Sequence, residues 1–227
     1  MSTPEPPSDR SGVISRLQQQ RKPAATIPDN ATRQDSTYDR LLTTAAALFR
    51  KKGYSAATTR ELASLIGIQK ASLYHHMAGK EDLLYSICVE SLTHMYSEVA
   101  RSMAQERTPV DRLRSAIRAH MAAILADQDK HTTMLLELRS LQGVRRDHVV
   151  ELRDQYEGML QSAIEECQGS GAIRVDISSR YLCLALLNIL NWTIIWFRPD
   201  GGMEAKDVSR LVEVVYLEGT ALLGARD

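Results

Sequence analysis

From Ser36 onward the apolar residues of this chain recur at three- and four-residue intervals, the spacing of helices with one buried face. No stretch alternates apolar and polar residues as a half-buried strand does. The first predicted helix covers residues 36–52: Leu41, Leu42, Ala45, Leu48 and Phe49 keep the 3.6-residue period, Arg50, Lys51 and Lys52 sit at its negative end, and Gly53 stops it. A second begins after Thr58, which with Glu61 three residues on forms a capping box. Ala63, Leu65 and Ile66 are assigned to its apolar face, and Gly67 ends it with a turn that a Cβ disfavours. A third short helix runs from Gln69 to His76, with Leu73 as its inward anchor. Beyond Lys80 the pattern predicts helices at residues 80–105, 109–127, 130–140, 145–168, 176–197 and 204–224, broken at Pro109, Gly143, Gly169 to Gly171 and Pro199 to Gly202. The fold class is all-α, with nine helices.

The spacing of Ala63, Gly67 and Leu73 suits two helices crossing steeply with a small residue at the contact, the helix-turn-helix arrangement. It leaves Lys70, Ser72, Tyr74 and His75 projecting outward, and these are groups suited to a DNA duplex. Lys70 can donate to guanine O6 and N7, Ser72 can meet a base edge or phosphate, and the Ala71 methyl can touch a thymine methyl. Arg60, Tyr74, His76 and Lys80 suit phosphates, which fix register without carrying sequence information. The competing reading of these charges is a solvated surface.

Composition adds two constraints. With 44% hydrophobic and 25% charged residues the 227-residue chain is an ordinary soluble protein, long enough for a sizeable core. Its net charge of zero hides a division: residues 36–85 hold seven Lys and Arg against four Asp and Glu, residues 86–227 sixteen against twenty. Positive charge therefore concentrates on the helix-turn-helix. Cys88, Cys167 and Cys183 are odd in number and far apart, suggesting neither a disulfide framework nor a zinc site. That spacing and the lack of a secretory pattern fit a cytoplasmic protein. Residues 1–35 carry five of the seven prolines and little apolar surface, so a disordered arm is expected there, with a short helix near Val13 to Gln20 as an option. Arg16, Arg21, Lys22 and Arg33 make either a groove-contacting arm or a passive tail. The expected domains are this arm, a DNA-binding domain at 36–85, and a second helical domain at 86–227.

One segment, Tyr181 to Phe197, is uncharged over 17 residues. A membrane span needs ~20, and Asn188 and Asn191 interrupt this one, so a buried helix touching both its own domain and something else is the better reading. An enzyme is disfavoured: adjacent His75 and His76 point to different sides of a helix, and neither an HExxH nor a paired-carboxylate pattern is present. No metal and no cofactor is expected.

FRKKGYSAATTRELA followed by LYHHMAGKEDLL resembles, in order and spacing, the DNA-binding domain of TetR-family transcriptional regulators; the close match covers Tyr38 to Ile87. The resemblance implies a nine-helix TetR-like architecture and assigns DNA contacts to Thr59, Arg60, Lys70, Ala71, Ser72, Tyr74, His75, His76 and Lys80. Met77 stands where the family more often has an aromatic, and still fills an apolar gap. Also implied are a homodimer, paired through the last two helices by Leu211, Val214, Val215, Leu217 and Leu222, a palindromic double-stranded operator, and a small effector that releases it. The expected role is a repressor of a catabolic operon. NWTIIWFRPDGG, residues 191–202, resembles the end of the penultimate helix in the subgroup sensing acyl-CoA thioesters, where the position of Trp192 lies at the ligand site. Asn188 stands where a sterol-fragment sensor of that type carries arginine, which leaves the identity of the thioester open. Candidate ligand contacts are Met121, Ile124, Met134, Leu138, Arg139, Met159, Asn188, Trp192 and Trp196, with plain core packing as the competing role of the Met and Leu residues. Arg145, Arg146 and Arg153 join Arg139 as candidate phosphate cations. An acyl-CoA or aryl-CoA effector is the first expectation, a free aromatic or drug-like ligand the second.

Overall fold

The computed structural model describes residues 29–198 and 200–221, with side chains from residue 37 onward. The N-terminal arm up to residue 28, with Arg16, Arg21 and Lys22, lies outside the described residues, as do the side chain of Arg33 and Leu222. The described residues from 39 onward form one compact unit, which contains both the helix-turn-helix and the helices beyond it.

Nine helices make up the described chain. Helix α1 (Asp29–Lys52) starts at Asp29, inside the stretch expected to be disordered, and ends on Gly53 at φ 83°. Helix α2 (Thr59–Ile66) carries the capping box in full: Glu61 N donates to Thr58 Oγ1 at 3.2 Å and Thr58 N to Glu61 Oε2 at 3.1 Å. It stops at Gly67, whose φ of 78° is the left-handed conformation a Cβ resists. Its buried face is Leu62, Ala63 and Ile66, while Leu65 is 63% exposed. Leu65 lies about 110° from the centre of that stripe, so its assignment to the apolar face was wrong by one helical step. Helix α3 (Lys70–Leu73) is a single turn, extended by turn hydrogen bonds as far as Met77 N to Leu73 O.

Helix α4 (Lys80–Met103) runs without interruption from the head into the larger bundle. Helix α5 (Pro109–Ala126) opens with proline behind a Thr108 cap, and α6 (Gln128–Glu137) behind Asp127, which accepts from Lys130 N at 3.0 Å. A 3-10 turn (Leu138–Ser140) leads to α7 (Gly143–Gly169). Helix α8 (Ser179–Asn191) breaks at Trp192 and resumes for one turn (Thr193–Trp196). At the break Thr193 Oγ1 bonds the Leu190 carbonyl at 2.6 Å, a local bond that competes with the helix ladder. Helix α9 (Ala205–Thr220) closes the bundle, and Ile173 bridges Ala221 just beyond it.

The core joins Met95 and Val99 of α4, Leu113, Ile117, Met121 and Ile124 of α5, Leu160 and Ile164 of α7, Leu186 and Leu190 of α8, and Val208 and Val212 of α9. A buried leucine or isoleucine contributes roughly 1.5–3 kcal/mol, so this face-to-face burial is what holds the bundle. Among the described residues no helix is long and apolar enough to cross a membrane, the uncharged stretch ending α8 included. The three cysteines are free and buried.

Candidate nucleic-acid interface and bundle core

Leu73 is wholly buried and pins α3 to the head, so the residues around it face outward. Lys70, Ala71, Tyr74 and His75 are exposed, Ser72 and His76 half-buried. The Lys70 ammonium lies 5.9 Å from the Tyr74 ring centroid. Thr59 and Arg60 open α2, the former half-buried and the latter exposed. Met77, 5% exposed, fills the gap beneath the turn.

Lys80 differs from the outward cation expected of it. Its Nζ donates to the carbonyls of Tyr54 at 2.6 Å and Ala57 at 2.9 Å and sits 4.2 Å from the Tyr54 ring centroid. The connection between α1 and α2 leaves those carbonyls without helical partners, and the ammonium satisfies them. Burial lowers the Lys80 pKa, with Glu137 opposing.

Four side-chain contacts stand out among those that tie the head to the bundle. Arg50 meets Asp129 at 2.8 Å, and Thr133 Oγ1 donates to the Ala46 carbonyl at 3.0 Å, joining α1 to α6. Arg145 of α7 reaches Asp82, and Glu81 at 3.5 Å, while Tyr85 and His148 Nδ1 share a hydrogen bond of 2.8 Å. Sequence reasoning missed all four, since each pairs residues more than sixty positions apart that nothing in their local sequence singles out.

The candidate ligand residues fall into separate groups. Met121 and Ile124 are fully buried and Met134 nearly so, all within the bundle core. Leu138 and Arg139 lie on the 3-10 turn, half-buried and exposed respectively. Asn188, Trp192 and Trp196 lie on the outer side of α8, where with Leu211 and Val215 of α9 they line a cleft of about 380 Å³. Trp192 is 59% exposed and Trp196 48%. Among the phosphate candidates, Arg145 is engaged by the head, Arg153 lies 3.6 Å from Asp154, and Arg139 and Arg146 are exposed.

Two features of the bundle were not foreseen. A cleft of about 540 Å³ opens among α4, α5 and α6, with Val89, His94, Met95, Ala123, Lys130 and His131 in its wall. Behind it a polar cluster draws one side chain from each of four helices. His120 Nδ1 of α5 lies 2.5 Å from the Tyr156 hydroxyl of α7, and His131 Nε2 of α6 lies 3.3 Å from Asn191 Oδ1 at the end of α8. Burial pushes His120 down to about 3, with His131 adding to it, and His131 down to about 4. The Tyr156 hydroxyl is raised well above its ordinary value for the same reason. The available sequence signal was a histidine on the apolar face of each of two successive helices.

A capped helix crossing a short exposed one, continuous with an all-helical bundle, defines a helix-turn-helix regulator with an attached helical domain. Residues 41–87 match the tetR family of bacterial regulatory proteins and residues 106–220 the tetracyclin repressor-like C-terminal domain. The TetR family transcriptional regulator PfmR of Thermus thermophilus superposes with a TM-score of 0.73 at 34% identity, covering 79% of this chain and 98% of that one. AibR, solved in complex with isovaleryl coenzyme A and operator DNA, gives 0.73 at 26% identity over 79% and 97% of the two chains. The HTH-type transcriptional repressor KstR2 of Rhodococcus jostii is 28% identical over 209 residues, 85% of this chain and 95% of that protein. The chain belongs to the TetR family of transcriptional regulators, and is a regulator rather than an enzyme.

Proposed function

We propose that this protein is a cytoplasmic homodimeric repressor that holds a palindromic operator and releases it on binding a small acyl-CoA or aryl-CoA thioester. The observation that carries the DNA half is the exposed row Lys70, Ala71, Tyr74 and His75 on a turn anchored by buried Leu73. In this reading Lys70, Ala71 and Ser72 meet bases, and Thr59, Arg60, Tyr74, His75 and His76 meet backbone or flanking edges. Lys80 acts mainly by holding the connection between α1 and α2.

Dimerisation is supported by the apolar side chains left exposed on the last two helices: Tyr181, Leu184, Trp192, Ile195 and Trp196 on α8 and its continuation, and Leu211, Val214 and Val215 on α9. Contiguous apolar surface of this kind marks an interaction site. A thioester effector is favoured by the isovaleryl coenzyme A bound to AibR and by the resemblance carried by NWTIIWFRPDGG.

The test is a mobility-shift assay with DNA flanking the protein's own gene, at low salt, titrated with a panel of acyl-CoA thioesters and their free acids. Binding that is relieved by one thioester supports the reading. No shift at low salt overturns the DNA assignment, and a shift that only free acids or aromatic compounds relieve overturns the thioester.

A further inference from the structure

The four-helix polar cluster leaves buried hydrogen-bonding atoms unused. Neither His120 Nε2 nor His131 Nδ1 has a partner, although both rings are almost wholly buried, at 2% and 3% exposure. The Asn191 side chain also faces the His120 ring and favours its protonated form, but no atom lies within hydrogen-bonding geometry of His120 Nε2. Buried polar atoms are nearly always satisfied, so each unsatisfied one calls for an explanation.

Hydrogen-bond accounting gives one consistent assignment of what the two atoms offer. Asn191 Oδ1 accepts, so His131 Nε2 carries the proton, and in a neutral ring Nδ1 is then a bare acceptor. The Tyr156 hydroxyl has His120 Nδ1 as its hydrogen-bond partner. Donation from the hydroxyl satisfies it, which puts the His120 proton on Nε2 as an unused donor. Burial keeps both rings uncharged at neutral pH. The ring centroids are 6.0 Å apart, which makes the two rings close neighbours.

His131 also forms part of the wall of the 540 Å³ cleft, a volume suited to a small molecule. Met95, Ala123 and Val89 give that wall apolar surface, and the Lys130 ammonium there is held by Glu90 at 3.0 Å and Asp127 at 3.8 Å. A charged ligand group therefore finds no loose counter-ion beside Lys130.

We propose that the His120–His131 pair is a recognition point for a hydroxyl group on an otherwise apolar part of the effector, entered through the cleft among α4, α5 and α6. This rests on the reading that the bundle binds an effector. A hydroxyl donates once to His131 Nδ1 and accepts from His120 Nε2–H. A ketone satisfies the donor alone, a carboxylate brings negative charge against neutral rings, and an unsubstituted chain satisfies neither. Two residues beyond His131 on the same helix, Thr133 holds the Ala46 carbonyl of α1, so a ligand on His131 pulls on the element that positions the head.

The experiment compares 3-hydroxyoctanoyl-CoA with octanoyl-CoA, and 4-propylcyclohexanol with 4-propylcyclohexanone, by calorimetry and thermal shift on the full chain. The hydroxylated member of each pair is expected to bind at least ~10-fold tighter, because a site built around a hydroxyl penalises its absence. That preference is expected to vanish in His131→Leu. If His131→Leu does not fold, Tyr156→Phe serves: it frees His120 Nδ1 and is expected to cut the preference severalfold. Equal binding within the pairs, a preference unchanged in the variants, or no binding by any of the four overturns the proposal. Relief of DNA binding by octanoyl-CoA and its hydroxy derivative alike sinks this inference and leaves the thioester reading standing. Preference for the alcohol with no thioester binding does the reverse.

Discussion

The head and the bundle of this protein spend their polar side chains in opposite ways. In the head, Lys70, Tyr74, His75 and Arg60 stand on the surface above a small apolar base of Leu62, Ile66 and Leu73. In the bundle, His120, His131, Tyr156 and Asn191 turn inward from four separate helices, and the outer faces of α8 and α9 display tryptophan and aliphatic side chains. The proposed function makes sense of the contrast: a surface that reads a charged polymer needs polar groups outside, whereas one that takes a small apolar molecule and a second subunit needs them hidden.

The largest perturbation expected from this contrast is in the head's base. Leu73→Ala removes the fully buried anchor and is expected to lower stability by ~2–5 kcal/mol, read as a drop in the urea midpoint, with loss of operator binding. An unchanged midpoint would show that α3 is held by something other than Leu73.

Acid should strike the bundle instead. His120 and His131 have folded pKa values of about 3 and about 4, below the ordinary 6.5. Asp127 favours the protonated form of His131, while Tyr156 and Asn191 face the pair as uncharged partners. The unfolded chain therefore takes up protons first as pH falls. The contribution is complete above about pH 6.5 and is lost from there down towards about pH 4 for His131 and about pH 3 for His120, at up to about 1.4 kcal/mol per pH unit for each ring. His131→Leu should shallow the fall in Tm between pH 6.5 and 4.5; a slope identical to that of the unaltered protein would refute the assignment.

Lys70 and Lys80 separate base reading from architecture within the head. Lys70→Ala is expected to weaken operator binding by ~1–3 kcal/mol and random DNA much less, with Tm unchanged. Lys80→Ala is expected to lower Tm, by ~1–2 kcal/mol in stability, because two carbonyls lose a charged donor. Similar specificity profiles and Tm values for the two variants would erase the distinction.

The smallest effect belongs to the joint between the regions. Arg145 is over a third exposed, so Arg145→Ala should cost at most ~1 kcal/mol of stability. It should nevertheless change how much effector is needed to release DNA, measured by fluorescence anisotropy. A release curve that does not move would exclude this ion pair from the coupling.

What could be read from the chain follows the same division. Thr58, Glu61, Gly67 and Leu73 cap, stop and anchor elements within sixteen residues, and local chemistry of that kind is visible without a structure. Leu65 was misplaced because a helix of eight residues has too few turns to define its stripe, and Lys80 because the need of the Tyr54 and Ala57 carbonyls is a property of the folded loop. The bundle was legible as helices in order, but not as a site. Nothing local marks His120 as the partner of Tyr156, or His131 of Asn191, and these pairs arise from packing alone. In the uncharged stretch ending α8 the register of Leu186, Leu190 and Ile194 sets which residues face the core, and it leaves Trp192 and Trp196 exposed on the outer side.

The three buried thiols have a practical consequence. Burial raises Cys88 and Cys183 to about 12 and Cys167 to about 11, which leaves almost no thiolate at neutral pH. A cysteine added at exposed Ser64 by Ser64→Cys should therefore be the fast-reacting site for a maleimide dye, with the native three left in place. In the proposed dimer, one such label per protomer turns the separation of the two heads into a distance that can be followed as candidate effectors are added.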